Sequence, residues 1–259
     1  MATGFFTDTT VCIGCKACEV ACKEWNQLPD DGLFFSGMSY DNTIALGAST
    51  WRHVAFIERP VPLADPNHDF SWLMMSDVCK HCRSAACLEV CPTGSIVRTE
   101  FDSVFVQPDV CNGCGMCVVA CPFGVIERNE DDGRAWKCTL CYDRQRDGDT
   151  PACAKACPTE SIVFGEIDEL KERAKSRVAE LHASGVTDAY LYGADASEQP
   201  GTDGLNAFFL LVDEPEVYNL PPDPVTPTKM VGESWRSLGK ALAGLVVLAA
   251  GAAIGGRRS

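Results

Sequence analysis

Sixteen cysteines stand in this 259-residue chain, and they fall into four sets of four with none left over. The sets are Cys12, Cys15, Cys18 and Cys22; Cys79, Cys82, Cys87 and Cys91; Cys111, Cys114, Cys117 and Cys121; and Cys138, Cys141, Cys153 and Cys157. The first and third read C-x2-C-x2-C-x3-C, while the second and fourth carry one longer gap, C-x2-C-x4-C-x3-CP and C-x2-C-x11-C-x3-CP. Two-residue gaps bring three thiolates together from one tight loop. The small residues Gly14, Ala17, Gly113 and Gly115 let backbone amides approach their sulfurs. Proline after the last cysteine of three sets fixes φ there and turns the chain away.

Zinc, disulfides and iron–sulfur clusters compete for such cysteines. Zinc requires two Cys-x2-Cys pairs around one tetrahedral ion, not three cysteines in seven residues with a fourth before proline. Disulfides would crowd Cys12, Cys15 and Cys18 into one loop, and dense stapling belongs to small secreted domains. The spacing matches the bacterial ferredoxin run, whose fourth cysteine ligates the other cluster of a pair. Sixteen thiolates at four per cluster predict four 4Fe-4S clusters with iron as the metal.

An internal repeat organises the sets. Cys91-Pro92-Thr93-Gly94-Ser95-Ile96, Cys121-Pro122-Phe123-Gly124-Val125-Ile126 and Cys157-Pro158-Thr159-Glu160-Ser161-Ile162 are three versions of one unit, a helix turning into an apolar strand. Strands are expected at Ile96–Val97, Val104–Val106 and Ile162–Phe164. Sets two and three are close in sequence and predict an inner module, 70–132. Sets one and four then pair across it as an outer module, 1–35 with 133–175. The fold class expected is α+β, two ferredoxin-like two-cluster modules, one nested inside the other, plus a C-terminal apolar helix. The crossover rule assigns Cys12, Cys15, Cys18 and Cys157 to cluster 1 and Cys79, Cys82, Cys87 and Cys121 to cluster 2. Cluster 3 takes Cys111, Cys114, Cys117 and Cys91, and cluster 4 takes Cys138, Cys141, Cys153 and Cys22.

Between these sets, residues 36–69 read as an insertion packed on the core or a partner, with a strand-like piece at Val54–Ile57. An amphipathic helix is expected over 166–184, with Ile167, Leu170, Ala174, Val178 and Leu181 on one face and a solvated charged face. Within the 176–230 region, Ala207–Val212 reads as a buried strand, and Pro215, Pro221, Pro222, Pro224 and Pro227 as a stiff linker. Residues 235–256 are bounded by Trp235, Arg257 and Arg258 and measure about 33 Å as a helix, enough to cross a membrane. The segment is either a membrane anchor or a tail helix docked on a soluble partner, and the anchor is the expectation taken.

Twenty-two Lys+Arg against 36 Asp+Glu leave a formal charge of −14, which supplies no basic field for a nucleic acid. The sequence holds no Walker A motif, no G-x-G-x-x-G opening a helix and no Cys-x2-Cys-His haem site. With four histidines and no nucleophile paired to a base, no catalytic residue is expected. His81 reads as a neighbour of the ligands or a surface residue, since all four cysteines of its set are present.

The chain resembles the iron–sulfur (beta) subunit of formate dehydrogenase, within the four-cluster electron-transfer subunits of molybdenum or tungsten bis-pterin oxidoreductases. The likeness lies in the run from Cys12 to Asn26, in Lys137-Cys138-Thr139-Leu140-Cys141-Tyr142-Asp143-Arg144, in Pro151 to Thr159, and in Arg177 to Leu181 with Ala189 to Gly193. It implies a large bis-pterin catalytic partner, a membrane cytochrome b subunit that reduces quinone, and electron transfer without catalysis by this subunit. Polysulfide, dimethyl sulfoxide or hydrogen as substrate of the partner stays open. Trp25 and Asn26 are expected either beside the ligands of the first set or, for Trp25, in core packing. No signal peptide is seen at Met1 to Thr10. Relatives exported with their catalytic partner imply a place at the cell membrane, on the extracytoplasmic face, with the cytoplasmic face the alternative.

Overall fold

In the computed structural model, residues 1–30, 45–60 and 70–255 are described, with residues 32, 35, 37 and 43 between them. Along the chain lie strand β1 (Thr3–Asp8), helix α1 (Ala17–Asn26), β2 (Arg52–Pro60), β3 (Phe70–Val78), α2 (Ala86–Glu89), β4 (Ile96–Arg98) and β5 (Val104–Val106). Then come α3 (Met116–Ala120), β6 (Glu127–Arg128), β7 (Ala135–Trp136), α4 (Tyr142–Arg146), α5 (Ala152–Lys155) and β8 (Ile162–Glu166). They are followed by α6 (Ile167–Ala183), β9 (Tyr190–Tyr192), β10 (Ala207–Leu211) and α7 (Pro227–Gly255).

The first strand organises the chain. β1 is antiparallel to β8 and parallel to β10, and β9 adds to β10, giving the sheet order β8-β1-β10-β9. Its two phenylalanines point to opposite faces, as strand geometry requires. Phe6 stacks on Phe208 at 5.5 Å in the core beneath α6, which holds Leu170, Ala174, Phe209 and Leu211. Phe5 enters a second core with Val54, Val78, Leu140 and Ile162, where Cys18, Cys79, Cys138 and Cys153 are packed. A third core gathers Ile96, Val104, Val106, Ile126 and Cys117 between the short pairs β4–β5 and β6–β7.

The strands after the Cys-Pro units stand at β4 and β8, and the amphipathic helix stands at α6, with Ile167, Leu170, Ala174 and Leu181 buried and Val178 packed against them. The charged face of α6 is largely solvated, with Asp168, Glu169, Glu172, Arg173, Lys175 and Glu180 exposed, but two of its cations are engaged. Lys171 Nζ lies 2.7 Å from Asp195 Oδ1, and Arg177 Nε donates to Asp8 Oδ2 at 3.0 Å, so the face ties the helix to its neighbours. The proline stretch also differs from a free linker, because Pro215 starts a 3-10 turn in which Tyr218 is buried, Leu220 is buried beyond it, and Pro227 opens α7. Within 36–69, β2 is one arm of a nine-residue-deep hairpin, paired with β3 from Arg52↔Val78 to Pro60↔Phe70.

The C-terminal helix begins at Pro227, eight residues before the expected start at 235. Among the described residues no helix is long and apolar enough to cross a membrane. Its described half carries the cations Lys229, Arg236 and Lys240, which dilute its apolar side chains, and the apolar stretch from 246 to 256 of the expected anchor lies outside the residues whose side chains are described.

Candidate metal centres

The cysteine loops turn through left-handed backbone, which the glycines adopt freely and Lys16, Leu140 and Cys141 adopt at a steric cost. Gly14 (φ 65°), Lys16 (φ 61°), Gly113 (φ 70°), Leu140 (φ 58°) and Cys141 (φ 48°) turn the chain so that successive thiols face inward. A Cβ at Gly14 would meet Met74 Sδ at 2.7 Å, and one at Gly113 would meet Gly133 O at 2.3 Å, so both loops are pressed against neighbouring segments.

Cys12, Cys15, Cys18 and Cys157 line one cavity with Val54, Ser76 and Ile162. Cys79, Cys82, Cys87 and Cys121 line another with Lys80, His81, Phe123, Val104 and Lys137. The thiols acting on Cys22 are Cys153, Cys138 and Cys141, and those acting on Cys117 are Cys111, Cys114 and Cys91. Two sets of four cysteines therefore each line one cavity, with three thiols from one loop and one from another. α1 packs on α5 and α2 on α3, so helices carrying or flanking cysteines of different sets meet. Among the described residues no group of three or more His, Cys, Asp or Glu side chains is placed to hold a single metal ion.

Donors converge on the sulfurs. Backbone N–H groups of Leu140 and Ala135 approach Cys138 Sγ at 3.3 Å and Cys111 Sγ at 3.4 Å. Ser76 Oγ lies 3.2 Å from Cys18 Sγ and Ser95 Oγ lies 3.1 Å from Cys91 Sγ. Asn26 Nδ2 reaches Cys22 Sγ at 3.6 Å. A thiol is a weak acceptor and a thiolate a strong one, so this surrounding suits thiolate ligands. Burial opposes ionisation without a metal: it pushes the Cys18 and Cys141 thiols up to about 11, with neighbouring Cys153 adding to both, and Cys87 up to about 12. At Cys91 burial acts the same way, but hydrogen bonds from Ser95, Thr93 and the Ile96 amide outweigh it and bring the thiol down to about 6. Buried thiols arranged in fours with donors on their sulfurs fit iron–sulfur clusters, whose iron takes the place of the protons.

Three buried cations lie beside the quartets. Arg52, Lys80 and Lys137 are 1%, 1% and 3% exposed. Arg52 Nη2 lies 3.2 Å from Cys153 Sγ and its guanidinium also acts on Cys18 and Cys138. Lys80 pairs with Asp77 and lies over the rings of Phe123 and Phe209. Lys137 Nζ donates to the carbonyls of Val104 and Cys138 and faces Cys79, Cys87 and Cys138. Sequence reasoning missed all three. The available signal was a lysine adjoining a cysteine at Lys80 and Lys137 in an otherwise acidic chain. His81, 1% exposed, is no surface residue; burial and the charges of Lys137, Arg98 and Arg52 hold its pKa well below the usual imidazole range. Trp25 is 44% exposed, donates to Asp143 Oδ2 at 2.9 Å and carries Arg144 over its ring, so it does not pack in the core.

The model for the 4Fe-4S dicluster domain matches residues 70–167, and a second model of that description matches residues 11–95. Two dicluster domains give four 4Fe-4S clusters, in keeping with the sixteen cysteines, and place the chain among the ferredoxin-like electron-transfer proteins of mixed helix and strand. The formate dehydrogenase iron–sulfur subunit of Haemophilus influenzae is 41% identical over 221 residues, 84% of this chain and 68% of that protein. The nitrate-inducible formate dehydrogenase iron–sulfur subunit of Escherichia coli is 40% identical over 240 residues, 91% of this chain and 77% of that protein. The B subunit of the anaerobic dimethyl sulfoxide reductase of Escherichia coli is 35% identical over 170 residues, 66% of this chain and 76% of that protein. The chain therefore belongs to the family of formate dehydrogenase iron–sulfur subunits, electron-transfer components of a complex that do no catalysis themselves.

Proposed function

We propose that this chain relays electrons from a catalytic subunit that oxidises formate, a large partner holding a molybdenum or tungsten bis-pterin centre. The observation that carries the reading is 40% identity to a formate dehydrogenase iron–sulfur subunit across 91% of the chain. When bound, each cluster takes up and releases one electron at a time. The ligand sets proposed are Cys12, Cys15, Cys18 and Cys157; Cys138, Cys141, Cys153 and Cys22; Cys79, Cys82, Cys87 and Cys121; and Cys111, Cys114, Cys117 and Cys91.

Nested modules are the proposed organisation. Support comes from β1 pairing with β8 across the chain, while β4–β5 and the α2–α3 contact stay within 70–132. The two domain models overlap and run in sequence order, so they do not choose between nested and consecutive modules. Neighbouring thiols suggest the order of the sets: Cys153 acts on Cys18, Cys79 on Cys138, and Cys117 on Cys87. The line then ends at exposed Cys15 on one side and exposed Cys114 on the other.

A membrane cytochrome b partner and attachment at the extracytoplasmic face complete the reading, with α7 as the contact. Val231, Trp235, Leu238, Leu242 and Leu245 are exposed on α7 at alternating spacings of four and three, which suits packing against another helix. Anaerobic affinity purification from native cells, followed by formate-dependent viologen reduction, tests the partner. Brown complex inert to formate refutes formate as the substrate. Truncation after residue 226 should release the complex from the membrane fraction, and retention there removes α7 from the attachment. A second reading, the same relay for a dimethyl sulfoxide reductase, is favoured by the 35% identity to the B subunit of that enzyme and predicts activity with that substrate instead.

A further inference from the structure

His81 is a buried imidazole with half of its hydrogen bonding accounted for. It lies between Cys79 and Cys82 with φ at 45° and is 1% exposed. Its Nδ1 is 3.1 Å from the backbone N of Val104. A backbone N–H only donates, so Nδ1 is the acceptor and the ring carries its single proton on Nε2. Nε2 is buried and has no partner among the described residues. A buried N–H without an acceptor costs the fold stability, and native structures leave few such groups.

The ring forms part of the wall of the cavity that Cys79, Cys82, Cys87 and Cys121 line. The two lysines of that wall are ammonium groups, which donate only and offer the Nε2–H no acceptor: Lys80 Nζ donates to Asp77 Oδ1, and Lys137 Nζ to the carbonyls of Val104 and Cys138. What remains for the Nε2–H is sulfur. We propose that His81 donates its Nε2–H to the cluster held by Cys79, Cys82, Cys87 and Cys121, and thereby holds this one centre at a higher reduction potential than its cysteines alone would give. The inference rests on the ligand set proposed above. Its physical basis is that the reduced cluster carries more negative charge, so a donor on its sulfur stabilises the reduced form more than the oxidised one. His81 is a positioning and tuning residue rather than a ligand, because its set already supplies four thiols.

Two substitutions separate the two nitrogens. His81→Asn offers Oδ1 to the Val104 amide, tolerates the positive φ and removes the donor at Nε2. His81→Gln restores an N–H near the Nε2 position. The intact complex is purified anaerobically for the native chain and both variants, and iron, acid-labile sulfide and an EPR-monitored redox titration are measured on each. Expected is unchanged iron, one midpoint of the four lowered in His81→Asn, and a return toward the native value in His81→Gln. Pulsed EPR of the native complex, reduced in ordinary and deuterated water, should show an imidazole nitrogen and an exchangeable proton coupled to one cluster. Full iron with four unshifted midpoints in His81→Asn overturns the inference, as does a native spectrum without the nitrogen coupling, which decides the matter even where the variant fails to assemble. The ligand set is tested apart by Cys79→Ala: full iron content there overturns the set itself, whereas the midpoints in His81→Asn bear on His81 alone.

Discussion

Arg52→Met removes a buried charge while keeping most of the volume of its stem. In the native chain the guanidinium is 1% exposed, Nη2 lies 3.2 Å from Cys153 Sγ, Nη1 donates to Ser76 O at 3.2 Å, and the group sits 4.7 Å from the Phe5 ring centroid. The thiols acting on it come from two quartets, Cys153 and Cys138 in one and Cys18 in the other. A unit charge at the Cys153 distance and an effective dielectric of about 20 is worth about 5 kcal/mol to an electron on that sulfur. An electron added to a cluster is shared by all its atoms, so that figure is a ceiling, and a quarter to a half of it, about 1.3 to 2.6 kcal/mol, is the working range. At 59 mV per tenfold for one electron, the midpoint should fall by about 60 to 110 mV. The assay is potentiometric EPR on the anaerobically purified complex with iron content measured beside it. Two midpoints of four should fall, with the larger shift at the centre held by Cys153, and Arg52→Lys should recover most of it. Equal shifts at all four centres, or an unmoved Cys153 centre with full iron, would refute the reasoning.

Other outcomes follow from the same geometry. Cys157→Ala should cost this chain about a quarter of its cluster iron and erase the EPR signature of the set with Cys12, Cys15 and Cys18 while the set with Cys153 persists, since Cys157 lines the first cavity; loss of the Cys153 centre instead would break the crossover assignment. Gly4→Ala should lower stability by about 2 to 4 kcal/mol or prevent assembly, because its Cβ would stand 1.8 Å from Asn206 O between β1 and β10; a thermal melt like the native one would contradict that placement. Iron chelation should abolish near-UV CD and expose 79–157 to protease, because α2, α3 and α5 have four, five and four residues and are too short to stand without the groups they wrap; a chelated chain with native protease resistance would count against it.

What could be read from sequence was what is local. The cysteine spacings, the strands after Cys91-Pro92 and Cys157-Pro158 and the apolar stripe of α6 are each set within about twenty residues of sequence, and these strands and the helix stand where expected, whereas after Cys121-Pro122 the strand is the exposed pair Glu127–Arg128 rather than an apolar one. β1 went unread because Thr3–Asp8 shows no alternation: Phe5 and Phe6 are buried on opposite faces, and its partners are 162–166 and 207–211. The buried cations went unread for a related reason. Arg52, Lys80 and Lys137 look like ordinary solvated side chains until non-local packing closes over them. The proline run misled because proline marks rigidity as well as a boundary, and here the stretch is packed through Tyr218 and Leu220.

The placing of those cations also explains how an acidic chain tolerates buried thiolates. With a formal charge of −14 the protein as a whole repels added electrons, so stabilisation of reduced centres must be local. At the two ends, exposed Cys15 and Cys114 meet solvent, which screens charge well. In the middle, where Cys18, Cys138 and Cys153 are buried, water cannot serve, and Arg52 stands between the first two sets in its place. Lys137 does the same across the junction of the proposed modules, since it faces Cys79 and Cys87 on one side and Cys138 on the other. A neutral side chain at position 137 would leave that junction without its shared charge, and both sets beside it would become harder to reduce together. Position 52 divides its effect differently, between the sets of Cys18 and Cys153. The two substitutions thus overlap only at the set of Cys138 and Cys153, and the centre that responds to both identifies that set in the spectrum.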